Sequence, residues 1–208
     1  MDFKKSAVLS LIGISVIFFI LQLAIPGFEE SFILVGKDVF LRPWILLTSM
    51  FLHGSLNHLF FNMLTLMFLG PLLESTIGTK RFLAMYLGSG ILAGFISSFF
   101  YARALGASGA IMGMFGVMII LMPQVQLLVF GIVPMRLWAV GILYVVMDTF
   151  GIFFPSGIGN IAHLSGMAVG LLYGLNLKKQ AKKFHKKFAL KKHMDGFDSE
   201  EYLKSGRI

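Results

Sequence analysis

Two polar side chains stand inside apolar, glycine-rich runs: Ser108 in Gly106-Ala107-Ser108-Gly109, and His163 in Ala162-His163-Leu164-Ser165-Gly166. A hydroxyl becomes a nucleophile once a base removes its proton, and imidazole titrates near neutrality. An ionisable group inside a bilayer is costly and commonly functional. Ser108 and His163 therefore suggest a hydrolytic pair working below a membrane surface. His58 and Asn62 are four residues apart and share a helical face. Their side-chain N–H groups could donate to an oxyanion, or simply bond a neighbouring helix. His53 stands near the entry to that helix.

These residues need elements to hold them. The chain has 208 residues, 57% hydrophobic and 13% charged, where a soluble domain carries about 25% charged residues. It reads as an all-α, polytopic membrane bundle over residues 1–177, with a basic, partly disordered tail over 178–208. A spanning helix needs about 20 mainly apolar residues. Six segments fit or approach that length: Ser6–Ile25, Asn57–Leu73, Arg81–Tyr101, Ser108–Met122, Leu137–Phe154 and Asn160–Leu177. Pro123 stops the fourth. Residues 26–43 connect the first two through a semi-apolar entry at Trp44–His53, and an apolar connector at 124–134 lies along the interface. The first segment, behind Lys4 and Lys5, is too long for a signal peptide and is read as a retained span.

Charge placement orients the bundle. With the N-terminus inside, six spans put Lys4, Lys5, Lys80, Arg81, Arg136, Arg207 and the tail lysines on one side. Only Lys37, Arg42 and Arg103 fall on the other. The positive-inside rule then makes both termini cytoplasmic, in a multi-pass protein of the cell membrane. The net charge is +8, concentrated between Lys178 and Lys192. That run suits anionic lipid; nucleic-acid binding lacks the aromatic interleaving it would need. The chain has no cysteine, which excludes disulfides, thiol catalysis and thiolate metal ligation.

This topology brings the chemistry together. Segments two, four and six all run inward, so His58, Asn62, Ser108 and His163 occupy their outer ends. Segment four spans roughly 22 Å against a hydrocarbon core of about 30 Å. Ser108 then begins below the surface, where only surrounding protein or a water-filled cavity makes a helix start viable. The free N–H groups and positive dipole of that start suit an oxyanion. Gly106, Gly109 and Gly113, and on segment six Gly166, Gly170 and Gly174, are expected to pack helices through small-residue faces that let them approach. His163, three before Gly166, shares its face.

Other constellations compete. Asp148 could orient His163, face a polar cavity or pair with backbone. Glu74 and Arg103 stand near span ends, where solvation accounts for them. His53, His58, His163 and Asp148 could hold zinc, but His-Glu-x-x-His is absent, so no metal is expected.

The chain resembles the rhomboid family of intramembrane serine proteases through three strings, on the six-helix core from about residue 6 to 177. They are His53-Gly-Ser-Leu-Asn-His58-Leu-Phe-Phe-Asn62, Gly106-Ala-Ser108-Gly-Ala, and Ala162-His163-Leu-Ser-Gly166-Met-Ala-Val-Gly170. The resemblance implies a Ser108–His163 dyad without an acidic third member, which leaves Asp148 aside. It also implies an oxyanion hole of His58, Asn62 and the Ser108 backbone N–H. Substrates would be single-span or polytopic membrane proteins cut near the outer face, with the lipid bilayer as partner, no nucleic acid, and no metal, ATP or other cofactor. The chain departs from many bacterial relatives in its short first connector, where Arg42-Pro43-Trp44 is the nearest string to their Trp-Arg pair, and in carrying Ser49 where some have histidine. Two other classes stay open. A rhomboid-like escort binds clients without cutting, often lacking one dyad member. A small transporter would show paired discontinuous segments, which this chain lacks.

Overall fold

The computed structural model describes residues 6–129, 131–154 and 157–189. Each of the six apolar segments contains a helix. In chain order these are α1 (Ala7–Ala24), α4 (Leu56–Ile77), α5 (Thr79–Ser97), α6 (Ser108–Leu121), α7 (Leu137–Phe153) and α8 (Asn160–Ala189). Two short helices, α2 (Phe28–Phe32) and α3 (Ile45–Thr48), occupy the first connector. By length and composition α1 and α4 could cross a membrane, and α6 and α7 are shorter apolar helices.

The all-α expectation holds for the bundle and needs amending in the connectors. Strand β1 (Leu34–Val35) pairs antiparallel with β2 (Arg103–Ala104), tying the first connector to the loop before α6. Across the apolar connector expected at 124–134, β3 (Gln126–Val129) and β4 (Val133–Arg136) make an antiparallel hairpin. Its outer residues Leu128, Ile132 and Val133 are exposed. The basic stretch after Leu177 does not begin a tail at once, because α8 continues to Ala189. Lys, Gln and Ala all favour helix, so nothing local stops it. The rest of the expected tail, 190–208, lies outside the described residues.

Local chemistry sets the helix ends. Ser55 caps α4 by accepting from the His58 N–H at 3.1 Å. Gly78, at φ 83°, turns the chain from α4 into α5. Glu74 corrects the expectation of solvation: it is only 5% exposed. Its carboxylate accepts from the Ala7 and Val8 N–H groups, the Ser6 hydroxyl and the Thr79 hydroxyl, at 2.9 to 3.4 Å. One acid thus caps the start of α1 and ties down the start of α5, where the helix dipole favours negative charge. Gly70 on α4 faces Val8 on α1 so closely that a Cβ would stand 2.7 Å from a Val8 methyl.

The core centres on α6, whose residues Gly109 to Met118 are all buried. It packs parallel to α8, backbone to backbone. A Cβ on Gly166 would overlap the Gly109 carbonyl, and one on Gly170 the Gly113 carbonyl. Gly174 faces Val117 and Ile120 one step further along. Side chains cannot fit between these turns, so glycine is required there.

Candidate active site

The starts of α4, α6 and α8 meet at one cavity of about 1100 Å³. His58, Asn62, Ser108 and His163 all line it. Ser108 is the first residue of α6, and no side chain caps that helix start. Its first-turn N–H groups are therefore available for an anion. The α6–α8 seam sets Gly109, the residue after Ser108, beside Ala162 in the first turn of α8. The Ile161 N–H donates to the Tyr101 hydroxyl at 3.1 Å, which helps fix the α8 start.

His58 and Asn62 share the cavity face of α4, where Asn62 Nδ2 donates to the His58 carbonyl at 3.1 Å. Gly106 takes no part in the helix seam, contrary to its expected packing role. It lies two residues before α6 at φ 119°, and a Cβ there would stand 2.7 Å from the His58 ring. Its N–H donates to the Ser49 carbonyl at 2.9 Å. This glycine thus makes room for the His58 imidazole.

Behind His58 stands His53, 1% exposed, with ring centroids 5.0 Å apart at 69°. Burial, with the charge of His58 as a lesser cause, pushes the His53 pKa down to about 4. The Gln22 amide clamps the His53 backbone, accepting from its N–H at 3.0 Å and donating to its carbonyl at 3.3 Å. Gln22 also donates to Glu29 at 3.0 Å, and Glu29 pairs with Arg103 at 3.8 Å. In the first connector, Arg42 bonds the Glu30 and Ser31 carbonyls and lies 5.8 Å over the Trp44 ring.

Asp148 departs most from expectation. The resemblance leaves it out of the site, yet its Oδ1 lies 3.0 Å from His163 Nδ1. Among the described residues no three His, Asp or Glu side chains converge as a metal site requires. Sequence reasoning missed Gln22 and Tyr101 altogether. Gln22 carried the same signal that marked Ser108, a polar side chain in an apolar run.

Comparison with known proteins fixes the family. The Rhomboid domain matches residues 41–180, more than half of the chain. The chain belongs to the rhomboid family. It is 32% identical to Rhomboid protein 1, mitochondrial, of Saccharomyces cerevisiae, over 86% of this chain and 55% of that protein. It is 33% identical to the Putative rhomboid protease YdcA of Bacillus subtilis, over 62% of this chain and 64% of that one. Rhomboid protease GlpG of Yersinia pseudotuberculosis is 33% identical, over 66% of this chain and 49% of its own length. The chain spans about half the length of the curated relatives it matches. The rhomboid family is membrane-embedded.

Proposed function

We propose that the protein is an intramembrane serine endopeptidase that cuts membrane-spanning segments near the outer face. Ser108 is the nucleophile and His163 the general base. His58, Asn62 and the Ser108 backbone N–H receive the oxyanion. Six helices span the bilayer, with both termini cytoplasmic, and the Gly109/Gly113 and Gly166/Gly170 faces hold nucleophile and base together. The observation that carries this reading is the shared cavity: an uncapped helix start at Ser108 opens onto the same space as His163, His58 and Asn62.

The chemistry follows from those positions. A substrate helix hides its carbonyls in its own hydrogen bonds, so it must unwind to be cut; small or helix-breaking residues near the cut favour this. Oγ of Ser108 attacks the exposed carbonyl while His163 takes the hydroxyl proton. Charge on the carbonyl oxygen is met by the donors of α4 and the α6 start. The C–N bond breaks, the amine leaves with the proton from His163, and an acyl-enzyme remains. Water then attacks the ester with His163 again as base, which frees the carboxylate product and Ser108.

The test is cleavage of a reporter transmembrane substrate in proteoliposomes. Wild type should cut it and Ser108→Ala should not, while remaining folded. Cleavage by Ser108→Ala at the wild-type rate overturns the assignment. A client retained uncut by folded wild type would favour an escort role instead.

A further inference from the structure

Asp148 is the only charged residue between Leu137 and Phe153, and it is 5% exposed. Removing a carboxylate from water is expensive, and it is recovered only through good partners. The partner it has is His163, at 3.0 Å between Oδ1 and Nδ1. Its other oxygen, Oδ2, is buried with no hydrogen-bond partner among the described residues. A single bond leaves this group a net burden on the fold, so stability alone does not account for its placement.

The helix is shaped to bring it there. Gly141, Tyr144, Asp148 and Gly151 recur at spacings of three and four on one face of α7. Gly141 packs on the Ile119 side chain of α6, and Tyr144 meets Phe115 edge-on at 5.6 Å. A Cβ on Gly151 would come within 2.5 Å of the Asn160 amide at the start of α8. Missing side chains above and below therefore let α7 approach α6 and α8 closely, and Asp148 reaches into the gap so formed.

We infer that Asp148 is a positioning residue that completes a Ser108–His163–Asp148 relay, holding the proton of neutral His163 on Nδ1. This inference rests on the reading of Ser108 and His163 as nucleophile and base. A carboxylate accepts only, so Nδ1 must donate and Nε2 is left with its lone pair toward the cavity. The same bond fixes the ring plane and stabilises the imidazolium formed when Ser108 loses its proton. Asp148 itself touches no reacting atom.

The first readout needs no turnover. In wild type labelled with 15N-histidine, with His163→Gln to assign the signal, neutral His163 should show its proton on Nδ1. A proton on Nε2 overturns the inference. The second is kinetic. Asp148→Asn should lower kcat about 100-fold or more with KM little changed, and Asp148→Glu should recover at least about tenfold of that loss. Thermal stability of Asp148→Asn should match or exceed wild type, because a buried charge has been removed. A folded Asp148→Asn with kcat within about threefold of wild type overturns the relay while leaving the Ser–His reading intact. Failure of that reading looks different: wild type and Ser108→Ala would cleave alike.

Discussion

Helices α6 and α7 are both apolar and both lie against α8, yet they are held in opposite ways. α6 meets α8 through backbone, with Gly109 and Gly113 against Gly166 and Gly170, and is buried along most of its length. α7 buries only Leu137, Val140, Gly141 and Asp148 on a narrow stripe. Its other faces expose Ile142, Val146, Met147, Phe150 and Phe153. Apolar area gives helices little reason to associate inside a bilayer, since lipid tails are equally apolar. Close backbone approach holds α6 on α8, whereas one polar bond, an aromatic pair and side-chain tips meet α7. The difference separates tasks. The seam sets the starts of α6 and α8, which carry Ser108 and His163, beside one cavity, while α7 supplies a largely exposed apolar wall and one carboxylate.

The largest expected effect lies at the seam's upper end. His163→Ala should reduce reporter cleavage by at least about 10⁴-fold without unfolding the protein. Residual cleavage near wild type would remove the base from the seam. Next comes the α4 side of the cavity. Asn62→Ala should lower kcat about 100- to 1000-fold with little change in KM, the size of one oxyanion donor. A pure KM effect would make Asn62 a substrate contact.

His53 gives an effect on stability with pH. Its imidazole is neutral in the fold, with pKa about 4, and titrates near 6.5 when unfolded. Folded stability is therefore complete above about pH 6.5, declines as pH falls toward 4, and levels off below that. The loss should approach about 3 kcal/mol. Thermal unfolding in detergent from pH 7.5 to 4 measures it, and His53→Gln should flatten the slope. An equally steep slope in that variant would assign the acid sensitivity elsewhere.

Two glycine substitutions compare the helices directly. Gly166→Ala drives a methyl into the Gly109 carbonyl, which cannot move without shifting α6. It should cost about 3 kcal/mol or more. Gly141→Ala meets only the Ile119 side-chain tip, which can swing away, and should cost less than about 1 kcal/mol. Paired unfolding measurements test this. Equal losses would mean that α7 is as rigidly seated as α6.

Much of this was legible in the sequence, for identifiable reasons. Ser108 and His163 stand out because a polar residue in an apolar run is anomalous, and both line the cavity. The Gly166, Gly170, Gly174 spacing of four reads directly as one helix face, and that face meets α6. Asp148 gave the same signal, but its partner is fifteen residues away on the next helix, and no spacing rule links residues on two different helices. Glu74 was misread because nearness to a span end says nothing about which neighbouring helix start needs an acceptor. Gly106 was misread because a glycine close to a small-residue seam looks like part of it, while its positive φ and contact with His58 exist only in three dimensions.

On the proposed reading the seam holds an activated serine, and labelling tests that claim most directly. Detergent-solubilised wild type, Ser108→Ala and His163→Ala would be treated with a fluorescent fluorophosphonate, and folding of each checked by thermal unfolding. Labelling of wild type alone is the expected result. Folded wild type that takes up no more probe than Ser108→Ala would contradict it.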